Sequence, residues 1–344
     1  MLSFWNRLPK PFLALAPMED VTDTVFRQIV SLCGRPDVMF TEFTNCEGLQ
    51  SVGQTRVIHR LKYDPKEQPL VAQVWGITPE DYYKTAQLIQ NMGFTGIDIN
   101  MGCPVKKVIK MGACSALIKN HSLAKEIVLA VKEGAPNLPV SIKTRIGFAS
   151  IQTEEWLGFL LRETRPAVLT IHGRTVKEES KVPCHWDEIG KVVKIRDEVF
   201  TDIENKNQPT LIVGNGDIAS YTQAINYAEA YNLDGIMIGR GVFKNPWIFN
   251  PKMKLNNQGQ VINDQTQRPI EIIERLKLLE THLDTWQQTW GKQKNYAILK
   301  KYFKIYISGY HGSSELRAKL METQDISQAK TILQQEKEDK KTIL

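Results

Sequence analysis

Eight short apolar runs lie along the first 240 or so residues, with helical patterns between them. They constrain this chain more than any other feature. The runs are Phe12–Ala16, Val38–Phe43, Leu70–Trp75, Gly96–Met101, Val140–Thr144, Ala167–His172, Thr210–Gly214 and Gly235–Gly239. They are mainly apolar, often β-branched, and show little alternation. That pattern fits strands buried on both faces of a parallel sheet. Thr78-Pro79-Glu80-Asp81 reads as a helix start: a cap, a proline in the first turn, and acids near the positive end of the dipole. Ser122 reads as the cap of a helix carrying Ile127, Val128 and Val131. Ser220 opens another, through Ala224, Ile225 and Ala228. Strand–helix alternation of this count and length predicts an α/β protein with a (β/α)8 TIM barrel over residues 1–250, in preference to an open doubly wound sheet.

Composition narrows the classes. With 42% hydrophobic and 24% charged residues, the 344-residue chain is neither disordered nor collagen-like. No apolar run approaches the length of a spanning helix. Pro11–Ala16, behind Arg7 and Lys10, mimics a signal peptide, but it is too short and reads as a buried strand. Five cysteines, with no Cys-x-x-Cys, argue against a disulfide framework or a zinc site. The expectation is a reduced, cytoplasmic protein without metal, working as a monomer.

The net charge of +6 is uneven, because residues 251–344 carry 16 basic and 11 acidic groups. Residues 251–268, rich in Asn, Gln, Pro and Gly, read as a linker. Residues 269–344 read as a smaller all-α helical domain. Ile270–Thr289 carries an apolar stripe of Ile272, Ile273, Leu276, Leu279 and Leu283. Asn295–Ser308 reads as a second helix with Lys300, Lys301 and Lys304 on one side. From Lys292 to Lys304 there are five lysines and no acid, interleaved with Tyr296, Tyr302 and Phe303. Such a stripe suits nucleic-acid phosphates, and equally a solvated face over core aromatics. The tail from Gln334 reads as a frayed helix end.

In a barrel, chemistry sits at the C-terminal strand ends. Here those ends offer Pro17-Met18-Glu19-Asp20, Glu42, Gln73, Asn100-Met101-Gly102-Cys103-Pro104, Lys143 and Arg145, His172-Gly173-Arg174, Gly214-Asn215-Gly216-Asp217 and Gly239-Arg240-Gly241. The run from Gly214 to Ala219 formally matches a dinucleotide fingerprint, but a true one belongs in the first strand–helix unit. The loops after strands seven and eight, with Arg240, read better as an anion cradle. Lys143, inside a buried strand, must reach the rim and meet an anion or a polar ring. His172 and Gln73 read as ligand contacts or as hydrogen-bonded structural groups. Cys103, between Gly102 and Pro104, reads either as packing or as a general acid, since a reference thiol of about 8.5 is mostly protonated at neutral pH. Cys114 reads as packing.

Leu15-Ala16-Pro17-Met18, Asp98-Ile99-Asn100-Met101-Gly102-Cys103-Pro104, Thr170-Ile171-His172-Gly173-Arg174-Thr175, Gly214-Asn215-Gly216-Asp217 and Met237-Ile238-Gly239-Arg240-Gly241 occur in that order. Together they resemble the tRNA-dihydrouridine synthase family, most closely its bacterial members. The resemblance implies an FMN-dependent reductase of tRNA uridines, with NADPH as electron donor. It implies that Pro17, Met18 and Glu19 line the flavin and that Gln73 and Lys143 hydrogen-bond its ring. His172, Asn215, Gly216, Asp217, Gly239 and Arg240 would hold the ribityl and phosphate end. Asn100 would face the uracil, with Arg145 also on the substrate side, and Cys103 matches the catalytic acid. The helical domain, with Lys300, Lys301 and Lys304, would bind tRNA. The Cys114 position is often a small residue in relatives. Two rivals are a flavin barrel reducing a small molecule and a non-catalytic RNA-binding protein.

Overall fold

A computed structural model describes residues 3–201, 209–257 and 260–343. Its centre is eight parallel strands: β1 (Phe12–Leu15), β2 (Val38–Phe40), β3 (Leu70–Trp75), β4 (Gly96–Met101), β5 (Val140–Arg145), β6 (Val168–His172), β7 (Leu211–Asn215) and β8 (Gly235–Ile238). Neighbours pair in chain order and β8 pairs with β1, so the sheet closes into a TIM barrel without an edge. The second strand is shorter than expected. The Thr41 hydroxyl donates to Glu42 O at 2.7 Å and accepts from Gln73 N at 3.0 Å, which diverts the chain. Thr44–Asn45 then rejoins β3 for two residues.

The side-chain period of two divides the barrel interior along its axis. Phe12, Ala14, Ala16, Val38, Phe40, Val71, Val168, Leu211, Val213 and Met237 form one apolar cluster with Phe4 and Trp5. The Trp5 ring lies 5.5 Å from Phe12 and 6.3 Å from Phe40, so the turn Phe4–Arg7 plugs the N-terminal end. The same alternation, continued toward the C-terminal ends, yields Gln73, Asp98, Asn100, Ser141, Lys143, Arg145, Thr170, His172 and Asn215. Their registers match: Asp98 lies opposite Ser141, Asn100 opposite Lys143, Lys143 opposite Thr170, and Arg145 opposite His172, which faces Asn215. Core and polar mouth are thus successive layers of one barrel.

Two helix starts differ from expectation in their details. The helix His121–Gly134 is capped by Asn120, whose side chain accepts from Leu123 N at 3.2 Å. Ser122 lies inside the first turn and bonds Glu126 instead. Thr78 does precede Pro79–Asn91, but its side chain makes no cap bond; Glu47 instead fixes the entry by accepting from Ile77 N and Thr78 N at 2.6 and 3.0 Å.

The chain divides into two compact units. The barrel unit runs to Thr24 and takes in Pro36–Ile218 and Thr222–Gly239. The second holds Val25–Arg35, Ala219–Tyr221 and the chain from Arg240 onward. The second unit is mainly helical, with Ile272–Thr289, Ser313–Glu322 and Ile326–Ile343 as its main helices, and it buries Leu276, Leu279, Leu283 and Trp286. Three details there were not foreseen. Within the stretch read as a linker, Met253–Leu255 and Val261–Asn263 pair as an antiparallel hairpin that buries Val261 and Ile262; residues 258 and 259 lie outside the described residues. In place of one helix over Asn295–Ser308 there is a 3-10 run, Tyr296–Tyr302, and a single α turn, Phe303–Tyr306. Tyr302, Phe303, Ile305, Tyr306 and Ile307 are all buried, which one straight helical stripe cannot achieve. The last helix runs on through Gln334, held by Lys337 to Glu280 at 2.6 Å and Lys330 to Asp284 at 2.8 Å.

Candidate active site

The best-ordered part of the mouth is a buried relay of hydrogen bonds across β3, β4 and β5. Asp98 is fully buried. Ser141 Oγ donates to its Oδ1 and Gln73 Nε2 to its Oδ2, each at 2.6 Å. Gln73 Oε1 accepts from Asn100 Nδ2 at 3.0 Å. Asn100 Oδ1 accepts the N–H groups of Gly102 and Cys103 at 3.1 Å. A carboxylate inside the barrel is thereby joined, through two amides, to the loop that carries Cys103. Burial pushes Asp98 up to about 6, opposed by the Ser141 and Gln73 bonds and the Lys143 charge. Sequence reasoning quoted Asp98 but gave it no role; the signal available was a carboxylate in a buried strand, which requires partners.

Cys103 itself is half-buried, and its thiol is not ordinary. A hydrogen bond from Cys114 pulls it down to about 7, helped by the Val105 backbone and Arg145 and opposed by burial and Glu19. Cys114 therefore does more than pack. It is buried, which raises its own thiol far above the usual range and keeps it a donor. It also holds φ 52°, a left-handed conformation rare outside glycine. Lys143 is pushed down to about 8 by burial and by Arg145, against Asp98 and Cys103. The Arg145 guanidinium braces the walls: Nε donates to Gly102 O at 2.8 Å, and Nη1 to Thr175 O and Glu179 O at 3.1 and 3.0 Å.

The opposite wall is closely packed around Gly216 and Arg174. At Gly216 the backbone has φ 138°, and a Cβ there would lie 2.6 Å from Cys184 Sγ and 3.3 Å from His172 Cδ2. Only glycine allows that approach. Arg174, buried and not foreseen as a site residue although its motif was quoted, ties the wall together. It donates to Val182 O at 2.6 Å and pairs with Asp217. Its Nη1 lies 3.2 Å from His172 Nε2. Arginine has no acceptor, so in this contact His172 Nε2 is the acceptor. Asn215 Nδ2 donates to Met237 O at 2.8 Å, binding β7 to β8 and leaving backbone groups to line the loop.

Other expected residues fall as follows. Pro17 is buried, and Met18 N donates to Thr22 Oγ1 at 2.9 Å. The Glu19 carboxylate is held by Arg60 at 2.7 Å. A Cβ on Gly239 would lie 3.5 Å from Ala16 Cβ and 3.8 Å from Met18 Sδ, so the β8 and β1 ends adjoin with room to spare. Gln73 has no exposed surface and acts within the wall. Arg240 belongs to the second unit, before the short helix Gly241–Lys244. So do Lys300, Lys301 and Lys304. Lys301 and Lys304 are exposed, whereas Lys300 donates to Met321 O at 2.7 Å. Among the described residues no cluster of His, Cys, Asp and Glu could hold a metal, and no helix is long and apolar enough to cross a membrane.

A family model described as dihydrouridine synthase matches residues 14–342. The chain belongs to the dihydrouridine synthase family. Two relatives extend the match across nearly the whole chain. One is a "Probable tRNA-dihydrouridine synthase" of Staphylococcus aureus (strain COL), 43% identical over 334 residues, covering 96% of this chain and 94% of that protein. The other is a "Probable tRNA-dihydrouridine synthase 2" of Bacillus subtilis (strain 168), 42% identical over 334 residues, covering 96% and 95%. Among solved structures, histamine dehydrogenase from Rhizobium sp. 4-9 superposes with a TM-score of 0.50 at 12% identity, over 79% of this chain and 48% of that one. That likeness is one of fold. Within the dihydrouridine synthase family model fall both walls of the mouth, from Pro17 to Gly239, and most of the second unit.

Proposed function

We propose that this dihydrouridine synthase reduces uridines of tRNA to 5,6-dihydrouridine, with FMN seated in the barrel mouth and NADPH as reductant, in the cytoplasm. The residues present fit that cofactor. Thr170 Oγ1 is buried without a partner and lies opposite Lys143 in register, so two polar groups stand ready for ring heteroatoms. Lys143 and His172, with the Gly216–Asp217 backbone, offer donors for carbonyls and a phosphate. Pro17, Met18 and the Glu19 backbone would flank the ring. Bound there and reduced, FMN would supply hydride chemistry for the uracil 5,6 bond.

The chain's own residues do the rest. The observation that carries the reading is Cys103: a half-buried sulfur, on a loop clamped by Asn100, with its thiol near 7 and the charges of Lys143 and Arg145 close by. At neutral pH about half of such thiols carry a proton, the poise that suits a general acid. Cys103 delivers that proton to C5, and its partial exposure allows recharging from water. Lys143 and Asn100 stabilise negative charge as it develops on the uracil carbonyls. A stacked uridine must first turn out of the RNA, at a cost of a few kcal/mol, and contacts elsewhere on the tRNA offset this. Exposed Lys301 and Lys304 suit those contacts.

The test uses the full chain. The purified protein is expected to absorb at about 450 nm, a flavin property. With NADPH it is expected to add two mass units, about 2 Da, to uridines of unmodified tRNA and to leave free uridine unchanged. A colourless protein sinks the cofactor. Reduction of free uridine as fast as tRNA moves the reading to a small-molecule reductase.

A further inference from the structure

We propose that Asp98 is a positioning residue that sets which way the Gln73 and Asn100 amides point, and through them fixes the backbone that presents Cys103. The proposal rests on Cys103 being the proton donor, and it deepens that reading.

The argument is one of donors and acceptors. An amide side chain has one acceptor end and one donor end, and nothing in its shape says which way it faces. A carboxylate accepts on both oxygens. With Asp98 ionised, Gln73 must present Nε2 to Oδ2, at 2.6 Å. Its Oε1 is then left for Asn100, which must present Nδ2, at 3.0 Å. That leaves Asn100 Oδ1 facing the loop, where it accepts from both Gly102 N and Cys103 N at 3.1 Å. One buried charge therefore decides three successive orientations. Were Gln73 reversed, Asn100 would reverse too, and its NH2 would meet two N–H groups. The loop would be released, and with it the contacts of Cys103 to Cys114 and to the Val105 backbone.

Ser141 supplies the control. Its hydroxyl donates to Asp98 Oδ1 at 2.6 Å, yet it also lies 3.4 Å from Ile97 O. It can rotate, donate to Ile97 O, and accept instead. An asparagine at position 98 could then keep its oxygen toward Gln73 and point its NH2 at Ser141. The relay would survive without the charge. A leucine of similar size cannot accept from Gln73 at all.

The experiment reads iodoacetamide labelling of Cys103 against pH, by peptide mass, in the full chain without tRNA or reductant. The groups facing Asp98 and Cys103, namely Lys143, Arg145, Glu19 and Cys114, are unchanged throughout. The wild-type midpoint is expected at about 7. Asp98→Leu should move it up by about one unit, toward an ordinary thiol, with labelling at neutral pH about fivefold slower. Asp98→Asn should restore most of the wild-type profile. Asp98→Asn with Ser141→Ala should lose it again. A folded Asp98→Leu protein with the wild-type profile overturns the proposal. So does an Asp98→Asn protein shifted as far as the leucine variant, since charge and not orientation would then matter. If Asp98→Leu does not fold, the asparagine single and double variants decide, and equal profiles overturn the proposal. Dihydrouridine formation is measured separately. Wild-type protein that labels as expected but leaves tRNA unreduced sinks the functional reading alone.

Discussion

The barrel mouth and the second unit both carry lysines, and they use them in opposite ways. Lys143 sits inside the barrel, held well below its ordinary value at about 8 by burial and by Arg145. Lys301 and Lys304 are exposed on the second unit, the Lys301 ammonium lying 5.1 Å over the Tyr302 ring. A desolvated charge has a fixed direction and a large interaction energy at short range; a solvated one acts weakly, over a distance set by salt. The contrast matches the proposed division, with chemistry in the first unit and RNA attraction in the second.

The largest effect should come from the mouth. Cys103→Ala removes the proposed proton donor, and general acids of this kind contribute about 100- to 10,000-fold. Dihydrouridine formation, read by mass in tRNA, should fall by that much while bound flavin stays. Undiminished turnover would break the contrast at its centre. The pH profile sharpens it. In the proposed reaction Cys103 is the acid, so activity should fall about tenfold per unit above a pH of about 7 as the thiolate accumulates. An alkaline limb that begins instead near the ordinary thiol value, about 8.5, would detach the reaction from the Cys114 hydrogen bond.

Stability gives a third reading. The folded Lys143 value, about 8, lies below the ordinary 10.5, so the unfolded chain binds the proton more tightly. The cost is full below about 8 and gone above about 10.5, and stability from this group rises across that window. Lys143→Met should therefore raise the melting temperature at neutral pH, by the equivalent of up to about 3 kcal/mol, and flatten the window. It should do so while activity drops. Loss of both together would mean that the lysine is structural. On the other wall, Arg174→Ala leaves Asp217 and His172 without their shared partner and should cost about 1–3 kcal/mol. It should also lower flavin content, seen as lost yellow colour. A variant that is merely less stable, with full flavin, would remove Arg174 from the anion wall.

Much of this was legible in the chain. The strands announced themselves as continuous apolar runs, and the polar residues at their C-terminal ends followed from the barrel. The resemblance supplied the roles. What escaped depends on non-local geometry. Asp98 needed Gln73 from β3 and Ser141 from β5, and their register is not written in β4. The Cys114 contact to Cys103 depends on a left-handed turn in a non-glycine residue. An ordinary thiol value was assumed for Cys103 because its neighbours were unknown. The hairpin at Met253–Asn263 is only three residues a side, too short for alternation to show. The 3-10 run at Tyr296–Tyr302 was hidden because its spacing also fits a helix.

The smallest predicted effect tests the second unit against itself. Lys300, Lys301 and Lys304 were grouped by sequence as one basic face, yet they differ. Lys300 is spent internally: its ammonium donates to Met321 O at 2.7 Å. Lys301→Ala and Lys304→Ala should each lower the slope of log affinity for tRNA against log salt by about one, weakening binding several-fold at low salt. Neither should alter turnover at saturating tRNA, because neither stands among the reacting groups. Lys300→Ala should leave the slope alone and instead lower the melting temperature slightly, since it frees a carbonyl near the end of Ser313–Glu322. Wild-type slopes in Lys301→Ala and Lys304→Ala would mean that the exposed pair contacts no phosphate, and the division of labour between buried and exposed lysines would then rest on the barrel alone.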